Sequence, residues 1–359
     1  MSALTTLQIG VTASPDAGGL ERYYHGLLGA LPLEDVSVIR VLGGDEGNLV
    51  RRWARIRAGV SGAIRASDVV VSHFAFHTFA ALDRLRTKPF AIHFHGPWAG
   101  ESKAEGAGRM QVVAKRELER LVYRCGARVI VLSQAFADIA EREYGVPAAV
   151  IRIIPGGVDC ARFAPTQSRT GARAELGLPL NRPLVVAVQR LVRRKGLELL
   201  INAADELRRG QLDVLIAIAG RGPLASELAD RIRERGLEEH VRLLGFVADN
   251  LLPTLYRAAD LAVVPSTSLE GFGLVVVEAL ASGTPVLVTP VAGLPEVVAD
   301  LSPALVLSDA SAGAVARGIG EALSGALPLP EAEACVRYAR RFDWETIARH
   351  VAGVYREIA

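Results

Sequence analysis

The sequence predicts an α/β protein built from two doubly wound, Rossmann-like domains facing each other across a cleft. Three observations carry that prediction. The chain has 359 residues, and single hydrophobic cores rarely grow past about 250. Short β-branched apolar runs alternate with longer amphipathic stretches from end to end, the pattern of parallel sheets covered on both faces by helices. A segment rich in Pro, Gly, Thr and Arg, "FAPTQSRTGARAELGLPLNRP" at 163–183, lacks apolar periodicity, reads as a linker and divides the chain nearly in half.

In chain order, the first series of strand-like runs is "LQIGV", "VSVIRVL", "DVVVSH", "FAIHF", "RVIVLS" and "AVIRII". The second is "PLVVAVQ", "DVLIAIAG", "VRLLGF", "DLAVVP", "TPVLVT" and "ALVLS". Domains are therefore expected at 1–165 and 166–340. A closing stretch, 341–359, places Phe342, Trp344, Ile347, Val351, Val354 and Ile358 at helical spacing and should form an amphipathic helix packing back onto the N-terminal domain.

Composition narrows the class. Half of the residues are hydrophobic and 22% are charged, which fits a compact globular chain. The net charge of +2 is too small for a nucleic-acid coat, so no nucleic-acid partner is expected. It is uneven, however: residues 1–165 carry 20 Lys/Arg against 16 Asp/Glu, and residues 166–359 carry 21 against 23. The start "MSALTTLQIG" lacks the pattern of a signal peptide and every long apolar run is interrupted, so a cytoplasmic protein is expected. Cys125, Cys160 and Cys335 are widely spaced and read as reduced structural thiols.

In such folds ligands bind at the carboxyl ends of the strands, so chemistry belongs in the strand-to-helix loops. After "PLVVAVQ", Arg190 follows the strand and Lys195 precedes Gly196 at a helix start. Two cations beside a helix N-terminus suit a diphosphate. Arg193 and Arg194 lie between them, and any one of these residues alone could simply solubilise a loop. "AGRGP" (219–223) is a tight turn that loosely resembles a dinucleotide fingerprint. The acidic residue expected at the end of the following strand is absent, which disfavours NAD. Glu270 lies in the Gly-rich loop "STSLEGFG", and Glu278 in the second turn of the helix "LVVVEALAS". Their carboxylates should stand roughly 8 to 12 Å apart, too far to share a proton and well placed to hold two separate sets of hydroxyls.

Glu270 and Glu278, with seven residues between them inside "PSTSLEGFGLVVVEALASGTPVLVT", closely resemble the signature of the family 4 retaining glycosyltransferases with the GT-B fold. The resemblance extends over nearly the whole chain through "SPDAGGLERY", "HFHGPW", "IPGGVD", "QRLVRRKG", "AGRGP", "LLGFV" and "FDWETIA". It implies a retaining transferase that moves a sugar from a nucleoside diphosphate sugar to an acceptor hydroxyl in glycan, glycolipid or glycosylated-metabolite biosynthesis. Arg190 and Lys195 would bind the diphosphate and stabilise the leaving group. Glu278 would take the ribose hydroxyls, while Glu270 and the backbone of Gly271, Phe272, Gly273 and Leu274 would hold the donor sugar. Arg221 and the backbone of Phe246 and Val247 would lie near the base. Gly18 and Gly19 would approach the donor phosphates, and His95 would touch the sugar near the reacting carbon. His93 stands where the family commonly has Thr or another small residue, and Gly156 where Asn is frequent.

Retention in this family fits a front-face displacement with cations on the departing phosphates. No cofactor and no metal are expected, since the sequence has no Asp-x-Asp cluster. A UDP-sugar is favoured over a GDP-sugar on family frequency. His73 is a candidate for the acceptor pocket, with helix packing the plainer role for His77. "RRWARIRAGV" (51–60) sets four arginines around Trp53 and Ile56. Such a helix could lie on an anionic membrane at the inner face of the cell, near a lipid-linked acceptor, or be an ordinary solvated face. "KRELERLVYR" (115–124) has the charge pairing of an exposed helix. Two rival functions share the fold: a nucleotide-sugar epimerase and a non-catalytic nucleotide-sugar-binding protein.

Overall fold

The computed structural model describes residues 3–11, 18–44 and 49–359. The chain divides into two compact units, one formed by Met1–Gly157 with Phe342–Ala359 and the other by Val158–Arg341. Each is a Rossmann-like α/β unit around its own parallel sheet.

In the first unit, β1 (Leu4–Gly10), β2 (Val36–Leu42), β3 (Val69–Ser72), β4 (Phe90–Phe94), β5 (Arg128–Val131) and β6 (Ile151–Ile153) lie in the order β2-β1-β3-β4-β5-β6. All pairs are parallel. β3 and β4 are buried along their whole length, as strands covered on both faces must be. Leu7, Ile9, Val70, Ile92 and Val129 pack with helical Ile56, Val122, Phe136 and Tyr144 in one core. The strand order reverses between β1 and β3, so the loops that follow these two strands part and open a crevice at their carboxyl ends.

In the second unit, β7 (Leu184–Val188), β8 (Leu215–Ala219), β9 (Val241–Gly245), β10 (Leu261–Val264) and β11 (Val286–Val288) lie in the order β11-β10-β7-β8-β9, again all parallel. Here the reversal falls between β7 and β10. The run "ALVLS", expected as a further strand, begins with a 3-10 turn at Pro303–Leu305 and contributes a single bridge from Val306 to Val288. Pro303 favours the turn, and too little extended chain remains for a ladder.

The supposed linker is not loose either. It contains a helix at Arg169–Glu175 capped by Ser168. Arg173 is buried there, donating to the carbonyls of Ala258, Leu180 and Arg182 and to Asp260 at 2.6 Å. Apolar periodicity misses a segment held in place by one arginine.

The helix Trp344–Ile358 starts at an Asp343 cap and buries Ile347, Ala348, Val351, Ala352, Val354 and Tyr355 within the first unit. Each large apolar side chain so buried contributes about 1.5 to 3 kcal/mol. Trp344 fills the space over Gly26 and Gly157, where any Cβ would collide with its ring. The basic helix Leu49–Ala63 turns Ile56 and Val60 into the core, and Trp53 packs on Phe76 and Phe79. Arg57 pairs bidentately with Asp83 at 2.7 Å, and Arg55 donates to the Gly43 carbonyl. Ile56 and the ring of Trp53, the apolar residues named for a membrane face, thus pack within the unit. Among the described residues, no helix is long and apolar enough to cross a membrane.

Candidate active site

In the second unit the loops after β7 and β10 meet where the sheet order reverses. Gly196, at φ +65°, heads the helix Leu197–Arg209. A Cβ there would stand 1.9 Å from the Pro265 carbonyl oxygen, so the two loops touch backbone to backbone only because this residue has no side chain. The amide of Thr267 donates to the Arg194 carbonyl at 2.8 Å, and the Arg194 guanidinium donates to the carbonyl of Leu269. Leu269 itself sits at φ +52°, a strained conformation for a branched side chain, of the kind that collects at functional loops.

That latch brings Lys195 onto Glu270. Their side chains are each 10% exposed and the ammonium lies 2.5 Å from Oε2, which also accepts from the Ser266 hydroxyl at 2.9 Å. Burial by itself would raise the Glu270 carboxyl. The Lys195 charge and hydrogen bond, helped by Arg194 and Ser266, outweigh it and hold the group below the ordinary glutamate range. The family resemblance assigns these residues to two different parts of a ligand, whereas here they pair with each other. Glu278, on the helix Leu274–Ala281, accepts from the Tyr256 hydroxyl at 3.2 Å. Tyr256 was missed by sequence reasoning because a lone tyrosine on an amphipathic helix looks like core.

The cations separate by role. Arg193 is taken by Glu198 at 3.3 Å and Glu227 at 3.0 Å, a solvated surface pairing. Arg190 is exposed, and among the described residues its side chain has no hydrogen bond or ion pair. It is the cation available to an anion. The loop after β8 closes on the same edge: a Cβ on Gly220 would lie 1.8 Å from the Gln189 carbonyl oxygen, and Leu191 donates its amide to the Arg221 carbonyl. Arg221 then stacks over the exposed ring of Phe246, just past β9, at 4.0 Å, with Val247 half-buried beside it. Phe272 is buried and Gly273 caps the Glu278 helix. The sequence-predicted residues of this unit thus gather at the carboxyl ends of neighbouring strands.

In the first unit, residues 14–17 of "SPDAGGLERY" lie outside the described residues, while Gly18 and Gly19 open the helix Gly19–Ala30. His73 follows β3 and His95 follows β4, and they meet, Nδ1 to Nε2, at 3.2 Å. His73 is fully buried with its other nitrogen on Gln8 at 2.8 Å, so neither nitrogen is left for an acceptor, contrary to expectation. His93 joins them, bonded to Tyr355 at 2.7 Å and Tyr23 at 3.1 Å. Burial pushes His95 down to about 3 and holds His73 and His93 well below the usual imidazole value, with the neighbouring histidines adding to the effect. The three rings cluster closely enough to suggest a metal centre. However, His93 stacks on the face of His73, 4.5 Å between centroids and 13° from parallel, while His73 and His95 meet edge to edge. Lone pairs in stacked planes do not converge on one point, and both His93 nitrogens are already engaged, so the arrangement does not fit a metal. His77 bonds the Gly10 carbonyl, a packing role.

Glu119, in a stretch read as an exposed helix, is fully buried. It accepts from the amides of Trp98 and Ala99 and from the hydroxyls of Tyr123 and Tyr144. Those amides begin the helix Trp98–Ala104, directly after His95–Pro97, so Glu119 holds the "HFHGPW" loop from beneath. Burial raises its carboxyl above the ordinary value against the pull of those four donors.

Two units with parallel doubly wound sheets, whose connecting loops gather at the reversal of the second sheet, define an α/β protein of the GT-B class. Residues 17–162 match the Glycosyltransferase Family 4 family and residues 168–342 match Glycosyl transferases group 1. The chain belongs to the family 4 glycosyltransferases. It is 35% identical over 184 residues to mannosylfructose-phosphate synthase of Agrobacterium fabrum, covering 49% of this chain and 40% of that protein. It is 32% identical over 266 residues to D-inositol 3-phosphate glycosyltransferase of Streptomyces avermitilis, 71% of this chain and 55% of the relative. The chain therefore spans about half the length of the curated relatives it matches. In fold it is similar to sucrose-phosphate synthase from Thermosynechococcus elongatus, with TM-score 0.82, 24% identity and coverage of 99% and 98%. It is also similar to Anabaena HepE in complex with UDP, with TM-score 0.79, 22% identity and coverage of 99% and 100%.

Proposed function

We propose that the chain transfers a sugar from a nucleoside diphosphate sugar to an acceptor hydroxyl, with retention and without a metal ion. The observation that carries the reading is Arg190, exposed and without a side-chain partner among the described residues, on the same strand end as the buried Lys195–Glu270 pair. Arg190 and Lys195 serve the diphosphate, where positive charge stabilises the departing group most at the transition state. Glu278 takes the ribose. Glu270 and the backbone of Gly271, Phe272, Gly273 and Leu274 hold the sugar, and Arg221, Phe246 and Val247 the base. In the first unit, Gly18, Gly19 and His95 are assigned to the donor by the family pattern. The acceptor is a hydroxyl of a glycan, a glycolipid or a small metabolite.

UDP-glucose and GDP-mannose are the donors to try first. HepE, similar in fold, was solved in complex with UDP-glucose, while a 36% identical relative in Mycolicibacterium smegmatis is named as GDP-mannose-dependent. Calorimetric titration with each should show binding to one. Glu278→Ala should abolish that binding while circular dichroism stays unchanged, and Glu278→Gln, which keeps an oxygen for Tyr256, should weaken it at least tenfold. Undiminished binding in both variants would sink the ribose assignment. NMR of the donor without acceptor tests the reaction class, since a new sugar configuration would mark an epimerase.

A further inference from the structure

The hydrogen bonds beneath His95 run in one direction, and each can be read from the one before. Thr6 gives its single hydroxyl proton to the Ser37 carbonyl at 3.2 Å, so toward Gln8 it can only accept, and Gln8 Nε2 donates to it at 3.0 Å. That fixes the amide's orientation and turns Oε1 to His73 Nε2 at 2.8 Å. An amide oxygen only accepts, so the His73 proton is on Nε2. A neutral imidazole carries one ring proton, which leaves a lone pair on His73 Nδ1 to accept from His95 Nε2 at 3.2 Å. The two rings are 18° from coplanar with centroids 5.4 Å apart, the geometry of an in-plane N–H···N bond. Tyr23 packs its ring against His95 at 4.7 Å and resists its rotation.

We propose that Gln8 and His73 are positioning residues that keep the His95 proton on Nε2, so that Nδ1 meets a hydroxyl of the bound sugar as a hydrogen-bond acceptor. This rests on the reading of His95 as a sugar-facing residue. His73 therefore serves the reaction through His95 and touches no substrate. The device selects ligands that offer a donor hydroxyl at that position, because a sugar lacking it leaves a buried lone pair unpaired.

The wild-type chain, labelled with ¹⁵N-histidine, decides the proton pattern without any ligand. Two-bond ¹H–¹⁵N correlation spectra at neutral pH, assigned with single His73→Asn and His95→Asn variants, should show His95 and His73 both protonated at Nε2 and bare at Nδ1. A His95 proton on Nδ1 overturns the proposal. For the functional half, release of the nucleoside diphosphate from whichever of UDP-glucose and GDP-mannose binds is followed in His73→Leu and His73→Asn. Asparagine can still accept from His95 and donate to Gln8, whereas leucine can do neither. His73→Leu should lower kcat/KM about 10- to 100-fold, with His95 losing its single tautomer in the spectrum, and His73→Asn should recover most of that loss. Equal losses in two variants of equal thermal stability would reduce His73 to packing. If no nucleotide sugar binds, the transferase reading fails while the measured proton pattern still upholds or overturns the relay.

Discussion

Lys195 and Glu270 show what a side chain needs from its neighbour. With both buried and 2.5 Å apart, removing one partner leaves the other's charge without compensation. Lys195→Ala should therefore cost about 3 to 5 kcal/mol of stability, whereas a Lys195→Met, Glu270→Leu double variant should recover most of it, as measured by urea denaturation. The pH dependence has a definite sign. The Glu270 carboxyl is depressed in the folded state, so its contribution is full above the ordinary glutamate value and is lost as pH falls through the lower folded value. Lys195→Met should flatten that acid limb; an unchanged limb would show that the pair does not set it. The two glutamates, Arg190 and Lys195 were legible in the sequence because motif spacing names them. Their mutual pairing was not, since it depends on two loops converging from strands more than seventy residues apart in sequence.

At the level of elements, alternation of β-branched runs located every strand of both sheets, because fully buried parallel strands have an unmistakable apolar signature. It over-read "ALVLS", where Pro303 favours a turn, and under-read 163–183, where a single buried arginine supplies the order. Glu119 was the largest miss. A glutamate among arginines looks exposed, and only its four donors reveal that it holds the start of another helix. Glu119→Gln should expose the difference. One oxygen becomes an NH₂ group facing a backbone amide that can only donate, while the tyrosine hydroxyl beside it can turn to accept, at a cost of about 1 to 3 kcal/mol. Hydrogen exchange should show the Trp98 and Ala99 amides opening far more than the sheet. Protection equal to wild type would mean the helix start needs no carboxylate.

Across the molecule, the two units should respond differently to acid. His73 and His93 are buried and His95 is half-buried in the first unit, all three held neutral, so unfolding lets each take up a proton below about pH 6.5, and stability falls there by up to about 4 kcal/mol per pH unit for the three together. All three tryptophans, Trp53, Trp98 and Trp344, belong to this unit. Tryptophan fluorescence should therefore change at a higher pH than the far-UV circular dichroism of the whole chain, and coincident transitions would refute independent acid lability. The division into two α/β units was visible in the sequence as two runs of strands. The return of the last helix to the first unit follows from Trp344 seating against Gly26 and Gly157, a complementarity of shape that spacing alone does not disclose.

In the closed Lys195–Glu270 pair the lysine already carries its own counter-ion. A simple inorganic anion arriving there must strip the lysine from its carboxylate and strand that carboxylate in a dry setting. A compound bringing hydroxyls along with its phosphates offers the glutamate a replacement for what it gives up. Such a pair should resist free phosphate and yield only to a molecule that satisfies both of its members at once.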